Sequence, residues 1–346
     1  MSRWLWAMLL WGVTLGVWAG PRLSVSELIY DFGEIKEGIL VVHTFLLANI
    51  GDAPLVFPRP PFIPCGCTSA GLPKDVLNPG ESMPFEVRFE STGFGGYSVV
   101  KHVYLYTNDP NAPQVVLTLQ GRVRPREPHE ESAYTLRYRY RLILDVRDRE
   151  SFVRGHLLGA VNVPAGEISA AIPWLPASTI YVCDAAGEQG LGLAEFLRQR
   201  GFWATRALRG GLAGWLKELG PYLVVGEVEE REPQVSPAAV APARLAQEYL
   251  VLLDFRPPEA YARAHLLGAI PVGPTGLDKV LDHLLPATKL APDLQPYIFC
   301  VDEDETVAWQ AARFLRTLGL WRAYALVGGL PQWHIRYGSD FMVSAP

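Results

Sequence analysis

The sequence predicts three compact domains: an all-β sandwich followed by two α/β units built on parallel sheets. Three observations carry this reading. Short alternating or apolar runs, separated by Gly, Pro, Asn and Asp, fill the first third of the chain. Strand-patterned and helix-patterned runs alternate after residue 134. That alternating part then repeats itself. A chain of 346 residues, 49% apolar and with 29 prolines, exceeds one ordinary core and suits several domains joined by stiff segments. The net charge of -5 has no basic tract behind it, so nucleic acid is not expected as a partner.

Residues 1–19 hold one arginine, an uncharged apolar stretch from Trp4 to Trp18, and Val17-Trp18-Ala19 as a small-residue cleavage site. They read as a secretory signal peptide or, if retained, a membrane anchor. Either reading places the rest of the chain outside the cytoplasm, in the periplasm, at the cell surface or secreted. Membrane contact is then expected only through an uncleaved N-terminal segment.

Residues 22–124 form the first domain. "VVHTFLLANI", "PFEVRFE", "KHVYLYTN" and "QVVLTLQGRV" are strands, and "NIGDAP", "NPGES" and "NDPNAP" are their turns, the pattern of a β-sandwich. With "PCGCTSAG" and the closing "LQGRV", these motifs resemble a bacterial domain of unknown function marked by a Cys-Gly-Cys-Thr turn. That resemblance implies an immunoglobulin-like fold.

Residues 125–133 and 226–242, rich in proline and charge, read as exposed linkers. They delimit α/β units at 134–225 and 243–338, with a tail at 339–346. "LILDVRDRESFVRGHLLGAVNVP" and "VLLDFRPPEAYARAHLLGAIPVG" match at a displacement of 109, pairing Asp145 with Asp254 and His156 with His265. "LRGGLAGW" and "LVGGLPQW" match at 118, pairing Gly210 with Gly328. In each copy an apolar strand ending at cysteine, "IYVC" or "YIFC", precedes an amphipathic helix, as in a parallel sheet covered on both faces.

"LDVR", "GHLLGAVNVP", "YVC" and "LRGGLAGW" together resemble a rhodanese domain, and the second copy resembles another. The resemblance implies sulfur transfer through a cysteine persulfide, with a sulfane-sulfur donor and a thiol acceptor, small or protein-borne, and no cofactor or metal. Cys183 is the candidate nucleophile and Cys300 its weaker counterpart. A cysteine between a strand and a helix N-terminus gains a nest of N–H groups and the helix dipole. Asp184, Ala185, Ala186, Gly187, Glu188 and Gln189 are expected to cradle the persulfide, with Gly187 free to take positive φ. The typical family turn reads Cys-x-x-Gly-x-Arg. Here Gly187 comes one position late and Glu188 or Gln189 stands where a cation is expected, which disfavours thiosulfate as donor. The missing arginine also disfavours a phosphatase. The turn after Cys300 carries four acids, which raise a thiol's pKa and repel anions. The competing reading is an envelope adaptor or binding protein whose rhodanese-like copies have lost turnover.

His156 and His265 read as scaffold, Asp145 with Arg147 and Asp254 with Arg256 as local ion pairs, and the Gly-Gly turns as helix entries. Cys65 and Cys67 flank a glycine in a proline-stiffened loop. A disulfide across so short a ring is expected to exchange readily. Structural, redox or sulfur-exchange, and soft-metal roles stay open for this pair.

Overall fold

A computed structural model describes residues 20–344, apart from 230, 235, 290 and 291. Residues 1–19, expected to be a signal peptide or anchor, therefore lie outside the described residues. Among those described, no helix is long and apolar enough to cross a membrane.

The chain forms two compact units. The first comprises residues up to Ile35, Val41–Glu90 and Tyr97–Arg122. Its strands are β1 (Leu23–Val25), β2 (Ile29–Lys36), β3 (Leu40–Asn49), β4 (Leu55–Val56), β5 (Thr68–Ala70), β6 (Val76–Leu77), β7 (Ser82–Glu90), β8 (Ser98–Tyr106) and β9 (Gln114–Arg124). They make one sheet in the order β1-β3-β7-β5, a second in the order β2-β9-β8, and a small β4-β6 pair. The strict alternation of β7 turns Met83, Phe85, Val87 and Phe89 inward. Phe45, Leu47, Val103, Leu105, Leu117 and Leu119 complete that core.

The second unit takes in Lys36–Leu40, Ser91–Gly96 and everything from Val123 onward. After β10 (Glu130–Glu131) and α1 (Ala133–Arg139), the first repeat runs β11 (Arg141–Asp145), α2 (Arg149–Arg154), β12 (Gly155–Leu157), β13 (Val161–Asn162), α3 (Ile168–Ala171), β14 (Thr179–Cys183), α4 (Gly190–Arg198), β15 (Arg206–Ala207), α5 (Gly211–Leu219) and β16 (Val224–Gly226). The second repeat runs α6 (Pro242–Glu248), β17 (Leu250–Asp254), α7 (Pro258–Arg263), β18 (His265–Leu266), β19 (Ala269–Pro271), α8 (Asp278–Leu284), β20 (Tyr297–Val301), α9 (Thr306–Thr317), β21 (Ala323–Leu326), α10 (Gly329–Tyr337) and β22 (Met342–Val343). The parallel sheets have the same order, β13-β11-β14-β15 and β19-β17-β20-β21, the second extended by β10. As expected, each is an α/β repeat with a parallel sheet.

The segments expected to be linkers and tail do structural work instead. Glu130 and Glu131 pair in parallel with Ala325 and Leu326, so the stretch before the first repeat completes the sheet of the second. Reciprocally, Val240, before the second repeat, bridges in parallel to Leu208 of the first. The tail closes an antiparallel pair, Met342–Val343 with His265–Leu266, which matches Val224–Gly226 with Gly155–Leu157. These segments escaped detection because strands of two or three residues carry almost no periodic signal.

Two crossed hydrogen bonds seal the exchange. The hydroxyl of Tyr140 donates to the carbonyl of Leu267, and that of Tyr249 donates to Leu158 at 2.8 Å. Both tyrosines are fully buried, and burial pushes both phenols far above their ordinary pKa. One continuous apolar cluster contains Ile143, Tyr181 and Trp215 from the first repeat and Val251, Ile298 and Leu315 from the second.

Candidate functional site

β14 delivers Cys183 at its last residue, and the chain turns through Asp184–Gln189 into α4. The expected arrangement, amides converging on the Cys183 sulfur, is not what forms. Strand residues alternate sides, and Cys183 points into the apolar cluster shared by both repeats, 1% exposed. Its thiol lies 3.7 Å from the Asp184 carbonyl, to which it donates weakly. Burial first, and then the nearby Asp145 carboxylate, push its pKa well above the ordinary value, with Arg147 opposing them.

The nest is filled by the next residue. Asp184 Oδ1 accepts from the Gly187 N–H at 2.6 Å, and Oδ2 accepts from Gln189 at 2.6 Å and Gly190 at 2.9 Å. Three orphan donors at the head of α4 are thus satisfied within the chain. The other side of the loop is held by α5, whose Leu212 and Ala213 amides donate to the carbonyls of Asp184 and Ala185. Ala186 is buried, and its carbonyl accepts from Gln234 at 2.7 Å. Gly187 takes φ 93°, where a Cβ would meet the Gln234 carbonyl at 2.5 Å, so glycine is required there. Glu188 and Gln189 project their side chains outward. A small cleft beside Ala185 is walled by Arg147, Arg154, Glu227 and Arg231.

The second repeat builds the same cradle. Asp302 Oδ1 accepts from Glu305 at 2.6 Å, and Oδ2 from Val307 and Ala308 at 2.8 and 2.9 Å. Strand pairing also corrects the expected equivalence of the two cysteines. Cys183 lies opposite Asp145, whereas Cys300 lies opposite Leu253, the place that Val182 takes opposite Leu144. The cysteines therefore sit on opposite faces of equivalent strands. Asp184 and Asp302, displaced by 118 like the Gly-Gly turns, are the true counterparts. Cys300 is fully buried, and its thiol is pushed far up by that burial and then by Asp302.

The remaining polar residues support the loops. Arg147 grips both oxygens of Asp145 and donates to the Gly155 carbonyl at 2.7 Å; Arg256 does the same with Asp254 and Ala264. These are the expected local ion pairs. His156 and His265 each donate from Nδ1 to a carbonyl one helical turn back, at 2.9 Å, and stack on Phe152 and Tyr261. Burial lowers the pKa of both rings. The disulfide-bonded Cys65 and Cys67 belong to the first unit.

A strand, an anion-holding loop and a helix, built twice on matching parallel sheets, define a duplicated α/β protein organised around two amide nests. The chain belongs to the rhodanese-like family: that family's model matches residues 130–218 and 238–336, more than half of the chain. Residues 23–123 match a family described as a protein of unknown function, DUF1573. Among curated proteins, the uncharacterized protein YibN of Escherichia coli K12 is 31% identical over 81 residues, which cover 22% of this chain and 57% of that one. The match thus spans little more than half of that relative's length. Among solved structures, the Alr3790 protein of Anabaena is 36% identical over 28% of this chain and 81% of its own, with a TM-score of 0.24. A thiosulfate sulfurtransferase from Pseudomonas aeruginosa is 23% identical over 62% and 42%, with a TM-score of 0.23.

Asp184 is the residue that sequence reasoning placed in the loop but did not single out, and Asp302 was counted only as one of the four acids after Cys300. The signal was present. Started at Asp184, the family turn reads Asp-x-x-Gly-x-Gln, and the displaced Gly187 falls into register.

Proposed function

We propose that the chain is a non-catalytic rhodanese-like binding protein that works outside the cytoplasm, its two repeats serving as a platform for a protein partner. One observation carries this reading: carboxylates of the chain itself occupy both amide nests, while both cysteines face the apolar interior. A persulfide at Cys183 would need the thiolate to form against burial, and would lack the N–H donors that such an anion requires. The leader-like pattern of residues 1–19 supports placing the protein in the envelope.

The test is sulfur loading. Purified protein is incubated with thiosulfate or polysulfide, followed by cyanide, in parallel with a Cys183→Ser variant. The expected result is equal, background thiocyanate from both proteins and no sulfur adduct on Cys183 by mass spectrometry. A persulfide on Cys183, with thiocyanate formation lost in Cys183→Ser, would overturn the proposal and restore sulfur transfer.

A further inference from the structure

The first unit carries the one cysteine pair held together among the described residues, Cys65 and Cys67, two positions apart with Cα atoms 5.4 Å apart. Both are half-buried at a turn whose tip, Gly66, is exposed, with nothing within 4 Å of where a Cβ would stand. So short a loop removes little freedom from the unfolded chain, so the bond does little as a staple. The core of Phe45, Phe85 and Phe89 closes without it. Among the described residues no third His, Cys, Asp or Glu joins the pair to hold a metal.

The surroundings of the two sulfurs are unequal. Cys65 Sγ accepts the Cys67 backbone N–H at 3.2 Å, a donor aimed at one sulfur only. The Thr68 hydroxyl lies 3.9 Å from Cys65 Sγ and 3.8 Å from Cys67 Sγ, and is itself buried at the start of β5. Behind the turn the backbone is fixed, since the Cys67 carbonyl accepts from Glu90 at 2.8 Å and Thr68 N–H donates to the Cys65 carbonyl. A thiolate released at Cys65 therefore finds a donor already in place, which makes Cys65 the better leaving group.

We infer that Cys65–Cys67 is a thiol–disulfide exchange site that oxidises a protein dithiol. A thiolate of the dithiol attacks Cys67 Sγ, the intramolecular S–S bond breaks, and the electron pair leaves on Cys65 Sγ. The second thiolate of the dithiol then attacks its own sulfur in the mixed disulfide. The partner gains a disulfide and loses two electrons; Cys67 leaves as thiolate, and the pair takes up the two protons. The exposed tip and rigid base suit this role, because the sulfurs can be reached while the strands behind them stay in place. The site does not depend on the state of the rhodanese-like repeats.

The full chain, equilibrated in mixtures of reduced and oxidised glutathione, is acid-quenched, alkylated and mapped by mass spectrometry. Residues 65 and 67 should shift between disulfide and dithiol across the series, with unchanged circular dichroism and with Cys183 and Cys300 protected from exchange. The quenched glutathione adduct of the native chain should sit on Cys67, the sulfur opposite the better leaving group, whereas Cys65→Ser and Cys67→Ser, each without a resolving thiol, should each hold a lasting adduct on the remaining cysteine. Three results would overturn the inference: a pair that stays oxidised until the chain unfolds, loss of the folded state on reduction, or a stoichiometric zinc complex of the reduced chain that blocks exchange.

Discussion

The loops after β14 and β20 hold the same carboxylate in the same way, yet they reach that geometry by different chemistry. Three residues after the aspartate, the first repeat has Gly187 at φ 93° and the second has Glu305 at φ 75°. Left-handed backbone costs a non-glycine residue roughly 1–2 kcal/mol. Glu305 offsets this through its own side chain, whose Oε2 accepts from the Gly328 N–H at 2.7 Å and whose Oε1 meets Lys36. Lys36 also binds Glu130 at 2.6 Å. Burial alone would lower the Lys36 pKa, but these two carboxylates raise it. The second loop is thus tied to β10, the strand that precedes the first repeat, whereas the first loop relies on glycine and on close packing against Gly210. A conserved shape does not require conserved residues, provided that the same amides find an acceptor.

The sharpest way to break the comparison is to place sulfur in the nests. Asp184→Cys sets a thiol where three amides already point and should lower its pKa. Lowering the pKa by about one unit from the ordinary cysteine value, ~8.5, raises the thiolate fraction at neutral pH nearly tenfold, and the gain levels off once the pKa falls below neutral. Asp302→Cys meets Glu303, Asp304 and Glu305, which oppose the thiolate. The iodoacetamide rate, followed by mass spectrometry, should be at least about tenfold higher for the first variant. Equal rates would mean that the surrounding acids do not govern these nests.

Next in size are the glycines behind the loops. A Cβ at Gly211 would stand 2.3 Å from Asp184 Oδ1, and one at Gly329 would stand 2.7 Å from the Asp302 carbonyl oxygen. Gly211→Ala should therefore cost about 3 kcal/mol or more, and Gly329→Ala somewhat less, in urea denaturation.

A graded effect comes from pH. Burial raises the pKa of Asp302, outweighing its three backbone hydrogen bonds. The folded state then binds that proton more tightly than the unfolded chain does. Its contribution to stability is full below the ordinary aspartate range and is lost as pH rises through the raised value. Stability measured against pH should fall across that window in the native chain, and the fall should be reduced in Asp302→Asn. The smallest effect separates two replacements of Glu305. Both lose the bonds to Gly328 and Lys36, but Glu305→Gly is relieved of the backbone strain, so Glu305→Ala should be less stable by about 1 kcal/mol in thermal or urea melts.

The duplication, the strand-then-helix succession around each cysteine, and the Gly-Gly helix entries were all legible in the sequence, because they rest on patterns several residues long. The register of the site was not. In a half-exposed strand, alternation would have shown which face Cys183 takes, but Ile180, Tyr181, Val182 and Cys183 are all buried. A strand covered on both sides reads as one apolar run, and its parity is invisible. The same blindness made Cys300 look equivalent to Cys183. The spacing of Gly187 held the missing information, since loop geometry counts residues from the side chain in the nest and not from the nearest cysteine.

The crossed tyrosine hydrogen bonds carry a consequence for ancestry and engineering alike. Each half keeps a buried phenol whose acceptor lies in the other half, and each borrows an edge strand or bridge from the stretch ahead of its neighbour. Excising either half would strand a hydroxyl in an apolar interior and open a sheet margin to foreign pairing. The duplicated gene segment is in this sense past the point of separation: its copies can drift in chemistry, as their loops have, but they have to be inherited together.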